Sequence, residues 1–278
     1  MGNNRLTGAI PQALLGLEKL ESLSLRGNFL SGEIPVGIGN VSRLDSISLS
    51  DNRLTGGIPL SIHNLTKLYT PTLDDNLLSG GISIGLHLGL YTFLDLSNNR
   101  LSGEIPRTLG RLTSLKVLNL SHNQLTGRIP DSFGEMRDLE SLDLSHNDLY
   151  GEIPESMGKL LQLTNLKLSD NNLTGRIPHG PQMDKIYDMD SYDANVGGLC
   201  GTQICVPCIE PMTPEEAAST PGDGIESEEG LVWFSWMTAG IGYPTRFVTT
   251  VLGMYGFGYF HRPMWRRRRM RSRAAIKF

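Results

Sequence analysis

The sequence lacks the short motifs with which most enzymes hold a phosphate, a metal ion or a nucleophile. No G-x-G-x-x-G, P-loop, H-E-x-x-H or G-x-S-x-G pattern occurs in it. Cysteine is also scarce, because the 278 residues contain only three, all within positions 200–208. These absences exclude the usual catalytic constellations. We therefore expect no enzyme activity, no cofactor and no metal site.

Charge of one sign is missing from two whole stretches of the chain. Residues 210–229 contain seven acids and no base, whereas residues 261–278 contain eight bases and no acid. The formal net charge of −4 hides this separation. Such an asymmetry indicates orientation and partners rather than fold. The opening residues, MGNNRLTGAI, also lack the basic start and apolar core of a secretory leader.

The sequence does contain an internal repeat. The pattern L-x-x-L-x-L-x-x-N-x-L-x-G-x-I-P recurs at spacings of 24, 24, 23, 24, 24 and 24 residues, and a partial copy, NNRLTGAIP, opens the chain. A repeat of this length predicts a solenoid, in which each unit packs only against its neighbours. The full copies start at Leu20, Leu44, Leu68, Tyr91, Leu115, Leu139 and Leu163.

Each part of the pattern has a physical reading. The L-x-L core alternates with period two, which predicts a short strand with its leucines turned inward. The glycine permits a tight turn, and the Ile-Pro pair favours extended backbone. Stacked coils then share one core along a parallel sheet. An asparagine amide that follows each strand can bond the backbone of its own coil and the next, at Asn28, Asn52, Asn76, Asn99, Asn123, Asn147 and Asn171.

With its L-x-G-x-I-P element, the segment 1–179 resembles the plant-specific class of leucine-rich repeats. The resemblance implies an α/β fold, a right-handed solenoid of about seven full repeats and one partial repeat. Residues 80–91, GGISIGLHLGLY, depart from the pattern because they lack the proline and are one residue short. We interpret them as a slightly deformed coil. The alternative is a remnant of the non-repeat island that some family members insert.

Residues 180–208 resemble the closing cap of plant leucine-rich-repeat receptors, because Tyr192 and Asn195 fall in its S-Y-x-x-N-x-G-L-C-G element with one extra residue. By spacing, Cys200 pairs best with Cys208 in a disulfide, and Cys205 is left over. Cys205 and Cys208 also form a C-x-x-C, but a redox or zinc role lacks its usual context. Since the chain begins in mid-coil, we interpret it as the C-terminal portion of a longer receptor or as a truncated gene product.

The remaining segments predict a membrane anchor. Residues 209–230 are acidic and rich in proline, serine and threonine, which is typical of a disordered juxtamembrane spacer. Residues 231–260 contain a single charge, Arg246, and predict a single transmembrane helix with its core at 241–260. Arg246 then lies near the outer edge, where its side chain can snorkel. A buried core helix is the soluble alternative.

The basic tail, residues 261–278, sets the orientation of this helix. Bases after a span and acids before it follow the positive-inside rule, which predicts a single-pass type I protein of the plasma membrane with extracellular repeats and a cytoplasmic C-terminus. The arginines are expected to contact anionic lipid. A nucleic-acid role would leave the apolar stretch without a purpose, so no nucleic-acid partner is expected. A helix-packing seam is predicted on one face, at Thr245, Thr249 and Gly253.

Outward strand positions form the concave face, the usual binding surface of a solenoid. Most are small and polar, but Phe93 and Val117 are neighbouring apolar exceptions and predict a contact spot. The alternative is that they only pack against each other. We interpret His122 and His146 as solvent-exposed side chains of this face rather than as a pair of metal ligands. Further candidates for ligand or partner binding on this face are Asp74, Asp75, Asp95, His122, Asp143 and His146.

Four N-x-S/T sequons predict N-linked glycans on an extracellular chain, at Asn40, Asn64, Asn119 and Asn172. A sugar on Asn119 would obstruct the concave face.

The resemblance implies a receptor-like protein without a kinase, since only 18 residues follow Phe260. Such a protein perceives a peptide or protein ligand in defence or development, and a separate transmembrane receptor kinase or co-receptor provides the output. Two alternatives stay open. One is a secreted repeat inhibitor of microbial hydrolases, and the other is a receptor kinase cut before its kinase.

Overall fold

The structure is a computed structural model, and it describes residues 2–83, 91–195 and 197–208. The predicted spacer, transmembrane helix and basic tail, with Thr245, Thr249 and Gly253, lie outside the described residues. Among the residues that are described, no helix is both long and apolar enough to cross a bilayer.

The L-x-L cores form one seven-stranded parallel sheet, in which each strand pairs with those of the coils before and after. Ser22 pairs with Ser46 and Ser46 with Thr70, so neighbouring strands are in register one repeat apart. The short repeat keeps this register, since Thr72 pairs with Asp95. The strands are Ser22–Ser24, Ser46–Ser48, Thr70–Thr72, Phe93–Asp95, Val117–Asn119, Ser141–Asp143 and Asn165–Lys167.

The L-x-G segments form a second set of parallel strands, divided into a three-stranded and a six-stranded sheet. The glycine of each segment has a positive φ, for example +82° at Gly151, which other residues rarely adopt. The three-stranded sheet contains Thr7–Gly8, Phe29–Glu33 and Arg53–Thr55. The six-stranded sheet contains Ser79–Gly80, Arg100–Glu104, Gln124–Gly127, Asp148–Glu152, Asn172–Arg176 and Leu199–Cys200.

Every helix in the described ranges is a 3-10 helix, and together with the parallel sheets these helices agree with the predicted α/β leucine-rich-repeat solenoid. Each repeat helix has only five residues and follows an extended proline, and so few residues suit the tighter 3-10 turn. The repeat helices are Gln12–Gly16, Val36–Asn40, Leu60–Asn64, Arg107–Arg111, Asp131–Glu135 and Glu155–Lys159. The cap helices are Met183–Lys185, Met189–Ser191 and Thr202–Ile204.

Leucines and isoleucines from every coil fill one continuous core, and the repeated asparagines join the coils along its edge. Asn52 is typical: its Nδ2 donates to the carbonyls of Leu49 in its own coil and Leu25 in the preceding coil, both at 3.0 Å. Its Oδ1 accepts the N–H of Leu30 at 3.0 Å. The sequence predicted a bond to the next coil. In the structure, the neighbouring coil that Asn52 contacts is the preceding one, because its side-chain amide points toward Leu25 and Leu30.

The cap continues the same ladder. Asn195 donates to the carbonyls of Leu168 (3.1 Å) and Tyr192 (2.8 Å) and accepts the N–H of Leu173 at 3.0 Å. Tyr192 therefore takes the place of the repeat leucine, and its burial raises the pKa of its hydroxyl to about 12. Cys200 is bonded to Cys208 with their Cα atoms 5.1 Å apart, and Cys205 is free and exposed.

Candidate ligand-binding surface

The outward face of the seven-stranded sheet is formed by the side chains that flank the buried leucine of each strand. Serine and threonine dominate it, but one group is apolar. Phe93 and Val117 are paired in register on adjacent strands, and both are half-buried. The N–H of Phe93 donates to the carbonyl of Tyr69 at 3.4 Å, and 44% of the Tyr69 surface is exposed. We call Tyr69, Phe93 and Val117 the apolar ledge.

Tyr69 was missing from the predicted site. The predicted outward positions begin at the residue before the buried residue of each strand, and Tyr69 lies one position earlier. The same position carries Lys116 and Glu140 in later coils, which form an ion pair across the face at 2.8 Å. The charged side chains of Lys116 and Glu140 at the equivalent position could have indicated that Tyr69 faces outward.

A group of four carboxyls lies next to the apolar ledge on the outward face. Burial, followed by the nearby charges of Asp51 and Asp74, raises the pKa of Asp75. Burial also raises the pKa of Asp95, and the charge of Asp74 adds to this effect. The structure therefore brings together the predicted residues Asp74, Asp75 and Asp95, and it adds Asp51. This end of the face repels anions and attracts cations.

Partners hold two of these carboxyls in place. Asp51 accepts from the Arg26 guanidinium at 2.9 Å, and both side chains are exposed. Asp74 accepts a short hydrogen bond from the Ser50 hydroxyl, at 2.5 Å. The cluster is thus partly organised before any ligand arrives.

The backbone explains the residue types in one row of the face. The residue before each ladder asparagine has a positive φ, such as 53° at His122 and 54° at His146. Asparagine, aspartate, histidine and glycine are the residues that tolerate this region best. The row contains Asn3, Gly27, Asp51, Asp75, Asn98, His122, His146, Asp170 and Ala194. Asp75, His122 and His146 thus have a local structural reason to occupy their positions.

The two histidines are in direct contact. Their rings are stacked, with centroids 4.0 Å apart and planes inclined by 16°, and His146 Nδ1 lies 3.2 Å from an Asp170 carboxylate oxygen. In the part of the chain that the structure describes, no three side chains of His, Cys, Asp or Glu are grouped so as to hold a metal ion.

Asp95 and Asp143 end their strands in the same kind of turn. Oδ1 of Asp95 accepts from the N–H and hydroxyl of Ser97, at 3.0 and 2.7 Å. Oδ1 of Asp143 accepts from the corresponding groups of Ser145, at 3.0 and 2.6 Å. Asn119 makes this turn in the coil between them. Oδ1 of each predicted carboxylate is therefore used by the fold, and Oδ2 of Asp95 also accepts from Asn119 Nδ2 at 3.4 Å.

The four sequon asparagines differ in their surroundings. Asn40 and Asn64 are exposed at the ends of two repeat helices, and Asn172 is exposed at the start of the strand Asn172–Arg176. Asn119 is half-buried, and its Nδ2 lies 3.4 Å from a carboxylate oxygen of Asp95.

Comparison with known proteins agrees with this architecture. The leucine rich repeat family matches residues 92–149, and single repeats match residues 19–41, 43–65 and 162–182. No curated protein matches the sequence significantly.

Several solved structures are similar to this chain. The Arabidopsis receptor kinase HAESA, in complex with the peptide hormone IDA and the co-receptor SERK1, has 37% identity and a TM-score of 0.65 over 72% of this chain and 33% of its own. The Arabidopsis thaliana receptor kinase GASSHO1/SCHENGEN3, in complex with CASPARIAN STRIP INTEGRITY FACTOR 2, has 37% identity and a TM-score of 0.62 over 75% and 28%. A plant ice-binding protein has 28% identity and a TM-score of 0.57 over 74% and 73%.

The fold, the ladder and these matches define a leucine-rich-repeat protein. Its repeats are similar to those of plant receptor kinase ectodomains, which is consistent with a plant leucine-rich-repeat receptor-like protein. The chain spans 33% and 28% of the lengths of the first two receptor chains that it matches.

Proposed function

We propose that this chain is part of a cell-surface receptor-like protein that binds a peptide or protein ligand, and a co-receptor kinase, through the outward face of its seven-stranded sheet. The apolar ledge of Tyr69, Phe93 and Val117 is the observation that carries this proposal. Two of the similar proteins were solved with a peptide hormone or an integrity factor bound, and one also with a co-receptor. Both matches extend over more than 70% of this chain.

The ledge is favoured because the other outward side chains of the sheet are polar or charged. Burial of a large apolar side chain contributes about 1.5–3 kcal/mol, and aromatic anchors dominate many protein interfaces. The adjoining carboxyls of Asp74, Asp75 and Asp95 would select a ligand with basic groups beside its apolar anchor. A peptide laid across neighbouring strands would contact both features at once.

The segment 231–260 is proposed to anchor the repeats outside the plasma membrane, with the basic tail on the cytoplasmic side. Its sequence supports this, since it contains one charge in thirty residues and precedes eight bases. The face containing Thr245, Thr249 and Gly253 would contact the membrane helix of a receptor kinase, which would provide the catalytic output. Whether the pathway serves defence or development depends on the ligand.

The fold alone does not decide the function, because a plant ice-binding protein shares it. The choice rests on the side chains of the outward face. Charged groups and the apolar ledge interrupt its rows of serine and threonine. Such an irregular face suits binding of one specific ligand better than binding of an extended, regular surface.

The proposal is tested with a peptide library displayed on phage. The full-length chain in detergent serves as bait, and the competing bait is the double variant Phe93→Ser and Val117→Ser. Serine occupies the same strand position in Ser141, so the variant should fold. Peptides selected on the native chain are expected to contain apolar and basic residues and to bind the variant at least about tenfold more weakly, equal to 1.4 kcal/mol.

A matched control changes the face away from the ledge. Asn165→Ser alters an exposed residue of the last strand and should leave the affinity of the selected peptides unchanged. Equal binding to the native and ledge-variant baits would reject the ledge as the ligand site.

A further inference from the structure

A groove of about 650 Å³ runs along one flank of the solenoid, across the last four coils. Ile-Pro pairs such as Ile129–Pro130 form its floor and are buried. The residue before each isoleucine forms one rim and alternates in sign, as Glu104, Arg128, Glu152 and Arg176. The residue after each proline forms the other rim, as Arg107, Asp131 and Glu155.

An unbroken series of charged side chains at this rim occurs in the later coils, whereas among the earlier coils Glu33 is followed by glycines. The equivalent rim positions of two earlier coils are Gly57 and Gly81. A Cβ built on Gly151 would lie 3.2 Å from Arg128 Cγ, so the arginine stem lies over the glycine of the following coil. The same holds for the stem of Glu152 and Gly175, at 2.9 Å. The glycines thus give the charged side chains a fixed place along the groove.

Tyr150 is the exception in the strands beside the groove. Its position holds serine or threonine in the other copies of the repeat, for example Thr126 and Thr174 in the adjacent coils. Tyr150 lines the groove, and 47% of its surface is exposed. An exposed ring at a position that otherwise holds a small hydroxyl side chain requires an explanation beyond the repeat.

The sequon residue Asn172 is the register partner of Tyr150 on the neighbouring parallel strand. Such strands lie about 4.8 Å apart, and side chains of paired residues leave the same face of a sheet. Both residues are exposed, whereas Leu149 and Leu173 beside them are buried. A sugar attached to the Asn172 amide would therefore begin next to the Tyr150 ring.

We propose that Asn172 carries an N-linked glycan whose first sugars lie in the flank groove against Tyr150. This inference rests on the extracellular placement of the repeats in the proposed function. A pyranose presents a C–H face that suits an aromatic ring and a rim of hydroxyls that both donate and accept. The guanidinium of Arg128 donates and the carboxylate of Glu152 accepts, so the alternating rim matches those hydroxyls.

The lining favours this occupant over a protein partner. Interface cores contain few charged residues, and aspartate and glutamate are depleted there. This groove has four carboxylates and three guanidiniums around one aromatic ring. The mixed signs also disfavour a strongly anionic or cationic ligand. A tethered sugar has a high effective concentration, so weak contacts hold it in place.

A double-mutant cycle tests the proposal. Full-length chain is produced in a glycosylating host as the native form, Tyr150→Thr, Asn172→Gln and the double variant. Threonine is the residue of the adjacent coils and should preserve the fold. Tyr150→Thr is expected to lower Tm by about 2–4 °C when Asn172 is present and by much less in the Asn172→Gln background. Mass spectrometry of the peptides reports the occupancy of each sequon.

Asn64→Gln provides the matched control, because Asn64 is exposed on a repeat helix of another coil. The Tm change caused by Tyr150→Thr should be the same with and without the Asn64 sequon. Additive Tm changes between positions 150 and 172, or an unoccupied Asn172 beside glycans on the other sequons, would overturn the proposal. The proposal would also be overturned if free chitobiose shifted the Tm of the Asn172→Gln variant while the Tm changes at positions 150 and 172 were not coupled. The groove would then bind an external sugar rather than the glycan on Asn172. No peptide or co-receptor enters this experiment, so its outcome is independent of the ligand test.

Discussion

The imidazole rings of His122 and His146 stack at 4.0 Å on consecutive coils, although each is held in the left-handed backbone region. The two facts are connected. The fold demands a residue that tolerates positive φ at this point of every coil, and the 24-residue period brings equivalent side chains next to each other. The pair is thus a consequence of the repeat as well as a candidate for recognition.

The backbone explanation predicts how His122 responds to substitution. His122→Asn keeps a residue that tolerates positive φ and loses only the ring stack. His122→Ala loses the stack and adds the left-handed cost of about 1–2 kcal/mol. We expect the alanine variant to unfold about 2–8 °C below the asparagine variant in calorimetry. Equal Tm values would show that the backbone is not strained at this position.

The asparagine ladder predicts a large loss for Asn147→Ala. Its amide donates to the carbonyls of Leu120 and Leu144 at 3.0 and 3.1 Å, and it accepts the N–H of Leu125 at 3.0 Å. Each buried polar group left without a partner costs about 1–3 kcal/mol. We expect a loss of roughly 3 kcal/mol or more in the free energy of unfolding, measured with urea.

The control for this loss is Asn165→Ala, where an exposed amide donates to the Ser141 hydroxyl at 3.1 Å. A surface change of this kind should stay within about 0.5 kcal/mol. A similar loss for both variants would contradict the role of the ladder.

Asp95 predicts a pH-dependent effect on stability. Burial raises the pKa of its carboxyl above the ordinary value of 3.8, so the charged form costs free energy in the folded state. Asp95→Asn removes this cost and can keep the turn with Ser97, as Asn119 does with Ser121. The variant should be more stable than the native chain at pH 7.

The gain should shrink as the pH falls through the raised pKa and become smallest below 3.8, where the carboxyl is protonated in both folded and unfolded chains. Thermal unfolding at several pH values measures it. Asp143→Asn makes the same change in the same turn, two coils away, and is the reference. A gain for Asp95→Asn that does not vary with pH would contradict the burial of its charge.

The repeat arithmetic predicted most of the fold. The strands and their register follow from a 24-residue period and from buried backbone groups that must be paired, whereas the ladder bonds of Asn195 in the cap were not predicted. The direction of the asparagine bonds was predicted incorrectly, because spacing cannot tell which neighbouring coil a side chain faces. The 3-10 form of the helices depends on how many residues are available between the proline of one coil and the strand of the next. That number is clear only once the whole coil is seen.

The candidate site was less predictable. Asp75, His122 and His146 looked like free surface residues because their backbone angles cannot be read from one sequence. Asp95 and Asp143 looked equally free, although the serine two positions later binds each of them. Tyr69 and Tyr150 stand out only against the equivalent residues of other coils.

Asn195 makes the same hydrogen bonds as Asn52, six coils earlier, to the equivalent backbone carbonyls. Through Asn195 the cap therefore uses the same backbone groups of the preceding coil that a further repeat would use. Repeat proteins built in this way can gain or lose whole coils during evolution and still end in the same closing element, provided that each change removes or adds a complete coil. The number of coils can therefore change during evolution while the core of each remaining coil stays the same.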